Sequence, residues 1–443
     1  MDKELIKQCL GILLLVNNML SKITRLKKSL SENKDHKTLA NNFKYLMILQ
    51  IAGYIFPLLT LPYLARVIGV EGFGKIAFAV AVIVWFQTIT DWGFNYTATR
   101  DLAQNRDDPK KVSDIFSNIL WSKIVLGIIS FVLLIILIFC IPYFYENKEL
   151  LLLTFLLVPA NILYAEWFFQ AIEKMKYITI FSLISKFLFT IMVFLVIREK
   201  SDYIYQPLLI SLGAIMVGLV SFYIIVAKWG VSVKKPKYSE VRNTIKNSKD
   251  VFINNIVHNL YNSFSSVLVG FFGGSISNGI LDAGTRFVNM ANQFMTIIAR
   301  VFFPFLSRST DKHDIFCKIN ISLAIISSLI LFFISPYLIK LFFTEEFSEA
   351  ILVLKIMSFM LIFSTINNAY GINYMIIKGY EKDLRKITFN FSILGFILAF
   401  PLVYYFDYIG AAVNILSIRA LIGLTVMYRA KKIKKKIEFG SLD

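Results

Sequence analysis

The sequence predicts an all-α membrane protein of about twelve spans, arranged as two six-helix lobes around a central cavity with both termini cytoplasmic. Three observations point there. The 443 residues are 57% hydrophobic, include 41 Phe and have a mean hydropathy of +0.65, which does not describe a soluble domain. Apolar runs of about 20 residues, the length that crosses a hydrocarbon core, follow one another almost without pause. Lys and Arg crowd into alternate gaps between the runs, and positive loops face the cytoplasm.

Taken in order, spans are expected at 43–64, 76–98, 115–141, 150–171, 178–197, 207–227, 251–273, 281–304, 315–343, 350–377, 387–407 and 408–428. A turn near Asp407–Tyr408 divides the last two. Before the first lies an extension, residues 1–40. Its apolar stretch Leu10–Val16 is too short to span, Ser21–Lys37 is polar and basic, and no small-residue cleavage site follows. It reads as an interfacial helix and a linker. The basic stretch Lys228–Asp250 separates a lobe at 41–227 from a lobe at 251–428, and residues 429–443 form a basic tail. Six is even, so both halves enter the membrane the same way, as a parallel repeat with a site between the lobes. Each half opens with a span and then a short Gly-containing segment, Val67–Lys75 and Gly273–Gly279.

A net charge of +18 would suggest nucleic acid in a soluble protein. Here the charge follows topology. The even gaps hold Arg100, Arg106, Lys110 and Lys111, then Lys174 and Lys176, the 228–250 stretch, Arg308 and Lys312, and Lys378 to Lys386, whereas the odd gaps hold few cations. No nucleic-acid partner is expected. Cys9, Cys140 and Cys317 have no metal spacing and read as small apolar residues. Gly69-x-x-x-x-Gly74-Lys75 begins like a phosphate loop, but Ile76 stands where Ser or Thr should hold magnesium, and no strand precedes it. Of three His, His258 is either a proton carrier or a hydrogen-bonded interhelical group. No metal or cofactor is expected.

A few charges that sit inside the apolar runs stand out: Asp91, Glu166, Lys186, Arg286, Lys355 and Arg419. Each costs roughly 2.5–3.5 kcal/mol to insert at mid-membrane, so each is a candidate for function. Polar residues join them at helical spacing. Arg286, Asn289, Gln293, Thr296 and Arg300 share one face, as do Asn255, Asn259, Asn262 and Ser266; Thr88, Asp91 and Asn95 line up, and Lys355, Ser358, Thr365 and Asn368 make a looser stripe. Lipid offers no hydrogen bonds, so such faces turn to the bundle interior, either as interhelical glue or as the wall of a wet cavity. The cations Lys186, Arg286, Lys355 and Arg419 suit an anionic phosphate or sugar carboxylate, and the amides Asn255, Asn259, Asn289 and Gln293 suit sugar hydroxyls. Asp91 and Glu166 either pair with Lys123 or Lys186 or carry a coupling proton.

Pro57-Leu-Leu-Thr-Leu-Pro-Tyr-Leu-Ala-Arg-Val-Ile-Gly69 followed by Phe73-Gly74 resembles the first-span signature of O-antigen (Wzx-type) flippases. Thr90-Asp-Trp-Gly-Phe-Asn-Tyr-Thr-Ala-Thr-Arg100 with Asn105-Arg-Asp-Asp108, Glu166-Trp-Phe-Phe-Gln-Ala-Ile-Glu-Lys-Met175, and Gly371-Ile-Asn-Tyr with Gly379-Tyr-Glu-Lys are similar to further signatures of that group. It is the polysaccharide-transporter branch of the superfamily that also holds the multidrug exporters. The resemblance covers about 41–430 and implies two six-helix lobes around a cation-lined cavity in a bacterial inner membrane. It implies a cargo of oligosaccharide on undecaprenyl diphosphate, moved by alternating access, with proton or sodium coupling. Its implied partners are that lipid-linked oligosaccharide, the surrounding lipid, and a polysaccharide polymerase with its chain-length regulator. A cation-coupled drug or solute exporter of the same superfamily is the alternative. A membrane glycosyltransferase or polymerase fits less well, because the odd gaps are too short for a large outer loop.

Overall fold

The computed structural model describes residues 34–308 and 310–439, and all of its secondary structure is helical. Eight of the described helices are long and apolar enough to cross a membrane, counted by length and composition. Two of them are double. Lys34–Asp91 is broken at Gly69 (φ 64°, ψ −177°), and Glu381–Phe439 at Asp407 (φ 49°, ψ −133°), where the sequence had suggested a turn. Residues 1–33 of the N-terminal extension lie outside the described part, while 34–40 simply lengthen the first helix.

Local chemistry sets many of the boundaries. Asp108 caps Pro109–Cys140 by accepting from the amides of Lys110 and Lys111 at 3.0 and 3.2 Å, and Pro109 takes the first turn, where its missing N–H costs nothing. Gly230 ends Tyr205–Trp229 in the left-handed conformation that a Cβ disfavours.

Elsewhere the helices depart from the expected spans. The run 76–98 is interrupted at Trp92 (φ 43°) and Gly93 (φ 80°), and a new helix, Phe94–Gln104, begins there. The cause is tertiary. Trp92 stacks on Phe252 at 3.8 Å and donates to the Ile245 carbonyl at 2.9 Å, and a Cβ on Gly93 would lie 2.6 Å from Val251. Asn95 therefore leaves the face of Thr88 and Asp91. The run 150–171 is three pieces: Lys148–Phe155, Leu157–Leu163 and Glu166–Ala171. Tyr238–Asn259 starts well inside the stretch read as a linker and stops before Ser263–Phe272, so Asn255 and Asn259 do not share a continuous helix with Ser266. Asn367–Ile376 is π-helical.

The basic loops gather at one end. Arg106 meets Glu173 at 3.5 Å, Arg429 meets Asp383 at 2.7 Å, and Lys234 pairs with Asp114 and Lys434 with Asp314. The residues read as linker are strapped onto Pro109–Cys140: Ser117 accepts from the Lys234 amide at 2.9 Å, and Trp121 donates to the Lys234 carbonyl at 2.9 Å. At the opposite end, one apolar cluster draws on both halves of the chain, Leu61 to Phe73 packing with Leu268 to Leu361. At the basic end the clusters separate: Phe94 to Val231 in the first half, Tyr261 to Ile433 and Leu306 to Ala369 in the second. The apolar clusters thus weld the halves at one end and leave a division at the other, which Tyr238–Asn259 bridges through Phe252 on Trp92 at 3.8 Å and Ser248 on Thr97 at 2.8 Å.

Candidate functional site

Gly274–Arg308 runs the length of this division. Arg286 and Arg300, on one face, are separated by about 21 Å of helix at 1.5 Å per residue. Each end of that polar face opens on a cavity shared with the first half of the chain.

Toward the welded end, a cavity of about 180 Å³ is lined by Lys186 and Gln206 from the first half and Arg286 from the second, with Thr60 and Phe73 in its wall. Lys186 donates to Ser182 at 3.1 Å. Arg286 binds Asp282 one turn earlier (Nη2 2.6 Å, Nε 2.7 Å), and its guanidinium lies 5.1 Å from the centre of the Phe73 ring. Asp282 thus offsets Arg286, whereas Lys186 has no carboxylate within 4.0 Å among the described residues. Oε1 of Gln206 is buried with no partner. An apolar wall, the Lys186 amine and an unused amide oxygen suit an anionic, hydroxyl-bearing group.

Between the cavities the face remains polar. Gln293 is exposed and accepts from Gln50 of the first helix at 2.9 Å, and Asn289 is exposed beside it. Asn259 donates to Thr88 at 2.7 Å across the two halves, and Asn255 is half-buried. At the basic end a cavity of about 710 Å³ is lined by Asn95, Thr99, Arg100, Glu166, Gln170 and Arg300, among others. Arg100 is paired with Asp101 at 2.8 Å. Glu166 accepts from Gln170 at 3.1 Å and has no cation within 4.0 Å among the described residues, although the charges of Asp91, Lys123 and Lys186 reach it.

The structure brings Lys186, Arg286, Asn289, Gln293 and Glu166 to this track and leaves other expected residues away from it. Asp91 is held by the buried Lys123 at 2.7 Å. Lys355 sits 5.5 Å from the Phe332 ring centre, and Arg419 sits 5.4 Å from that of Tyr261 with its Nε buried and without a partner. Neither lines the cavity of Lys186 and Arg286. The His258 side chain lies outside the described part. Sequence reasoning passed over Asp282, although it stands four residues before Arg286 within a predicted span. It also passed over Gln50 and Gln206, single amides in apolar runs, and gave no role to Arg300.

The welded end is closed by glycine. A methyl group on Gly74 would lie 1.5 Å from the Ser275 carbonyl oxygen, and one on Gly279 would lie 2.2 Å from that of Val70. The two Gly-containing segments matched in the sequence, one in each half, therefore press on each other. Gly74-Lys75 is a packing element and not a phosphate loop, and Lys75 is bound to Glu71 at 2.7 Å.

The fold is shared with solved membrane transporters. It is similar to the lipid II flippase MurJ in an inward closed conformation, with a TM-score of 0.69 and 16% identity over 88% of this chain and 87% of that one. It is also similar to an inward-facing multidrug resistance MATE family transporter of the MOP superfamily, with a TM-score of 0.59 and 15% identity over 86% and 95%. The chain belongs to the polysaccharide biosynthesis protein family, whose signature matches residues 39–310. A candidate O-antigen transporter of Escherichia coli K12 is 30% identical over 88% of this chain and 96% of its own length, and one of Shigella dysenteriae is 26% identical over 89% and 99%. The protein is a multi-pass membrane protein of transporter fold.

Proposed function

We propose that the protein is a flippase for polysaccharide precursors and that its cargo is an oligosaccharide repeat unit on undecaprenyl diphosphate, carried across the bacterial inner membrane. The observation that carries this reading is the polar track on Gly274–Arg308, cationic at Arg286 and Arg300 and rich in amides between, set along the division of an otherwise apolar bundle. A diphosphate needs cations, sugars need amides and hydroxyls, and the lipid tail needs neither. Translocation makes and breaks no covalent bond, so the protein acts as a transporter and not an enzyme.

The mechanism proposed is alternating access of two six-helix lobes, with both termini and the basic end cytoplasmic. The head group enters at the cavity of Glu166, Arg100 and Arg300, follows Gln293 and Asn289, and reaches Lys186 and Arg286. Parting of the glycine seam at Gly74 and Gly279 then releases it outside. Glu166, with no ion-pair partner among the described residues, is the better candidate for proton or sodium coupling, since Asp91 is engaged by Lys123. A polymerase and its chain-length regulator would take the unit on the far side.

The test is genetic. Deletion should abolish the surface polysaccharide while precursor accumulates on the cytoplasmic leaflet. The wild-type gene should restore it, whereas Arg286→Ala at equal membrane abundance should not. A cation-coupled exporter would instead leave the polysaccharide intact and change drug sensitivity.

A further inference from the structure

A separate cavity of about 350 Å³ lies at the basic end between Tyr238–Asn259 and the start of Glu381–Phe439. Lys382, Arg385 and Lys386 form its rim, at three- and four-residue steps on one helical face. Ile253, Val257 and Phe389 form its apolar floor. Among the described residues none of the three cations has a carboxylate within 4.0 Å: the nearby Asp383 is taken by Arg429 through both Nε (2.9 Å) and Nη2 (2.7 Å). Glu381 is exposed at the helix start, and Lys249 and Asp250, one turn before Ile253, offset each other. Three cations in the first two turns also oppose the helix dipole, so the helix itself gains nothing from them.

Beyond Phe389 the face continues through Ile393, Ile397 and Phe400, all exposed large apolar side chains. In a bilayer that stripe meets acyl chains, and the three cations above it stand at the depth of head groups. We propose that this cavity holds an anionic phospholipid of the surrounding leaflet, its phosphate between Lys382, Arg385 and Lys386 and an acyl chain along Phe389 and Ile393. None of its lining residues belongs to either cavity of the polar track, which favours a resident bilayer lipid over passing cargo. It joins the helix that follows the inter-half strap to another helix of the same half.

The test uses the full-length protein in neutral detergent, titrated with phosphatidylglycerol or phosphatidylcholine and read by native mass spectrometry and thermal unfolding. Phosphatidylglycerol should be retained and should raise the unfolding temperature, and phosphatidylcholine should do neither. The triple variant Lys382→Ala, Arg385→Ala, Lys386→Ala should retain phosphatidylglycerol at least tenfold more weakly. Removing equal charge elsewhere, with Lys110→Ala, Lys111→Ala and Lys174→Ala, should change nothing, and the cation-preserving Lys382→Arg, Lys386→Arg should bind as the parent does. Equal retention by parent and first triple variant would mean that these cations serve topology alone and would overturn the proposal. Displacement of phosphatidylglycerol by equimolar farnesyl diphosphate would assign the site to cargo and overturn it too. Neither readout depends on transport.

Discussion

At the scale of single residues, the charges inside the apolar runs divide by partner. Lys123 is 3% exposed and is paired with Asp91 at 2.7 Å, whereas Glu166 faces a cavity, accepts from Gln170 and has no cation within 4.0 Å among the described residues. Removing one member of a buried pair strands the other. Lys123→Met and Asp91→Asn should therefore each lower the unfolding temperature, and the double variant should lose less than the two together. A coupling of about 1–2 kcal/mol is expected in a double-mutant cycle, because Asp91 is partly exposed; additive losses would show that the pair contributes nothing. At Arg286 the expectation concerns function. Arg286→Lys keeps the charge but loses the two-point grip on Asp282, so transport should fall several-fold with little loss of fold. These charges were legible as anomalies because their cost in lipid is large. Of their partners, Lys123 was legible only as one of two candidate cations, and the crossing of helices gives it to Asp91; Asp282 stands one turn before Arg286 and was passed over.

At the scale of elements, the seam at Gly74 and Gly279 brings backbone of the two halves too close for a Cβ, and it sits on segments whose likeness was readable in the sequence. A methyl at Gly74 must push Ser275 away, so Gly74→Ala should shift the equilibrium toward parting at that end. In a background lacking Cys9, Cys140 and Cys317, a thiol placed at the buried Ile76, which lines the cavity of Arg286, reports this. Labelling by an impermeant maleimide from outside should rise several-fold in Gly74→Ala; unchanged labelling would mean that the seam is not the closure. The apolar runs located the eight long apolar helices because hydrophobic length is a one-dimensional signal. The breaks at Trp92–Gly93 and at 260–262, and the π-helical segment Asn367–Ile376, were not readable. Val251 and Phe252 lie more than 150 positions from Gly93, and no local propensity encodes that contact.

At the scale of the whole molecule, one apolar cluster welds the halves at one end while separate clusters leave a division at the other, and the polar face of a single helix connects the two. The proposed orientation, with the basic gaps inside, puts the divided end in the cytoplasm. A thiol at the exposed Lys435 should therefore react with an impermeant reagent only after permeabilisation, and one at the exposed Glu146 in intact cells; the reverse pattern would invert the mechanism. The most direct test of the central claim is reconstitution. Protein in liposomes loaded with undecaprenyl-diphosphate-linked oligosaccharide from its own host should bring the sugar into reach of an external lectin or glycosidase, and Arg286→Ala should do so at least tenfold more slowly. Equal rates in protein-containing and empty liposomes, or equal rates for the two proteins, would contradict the account.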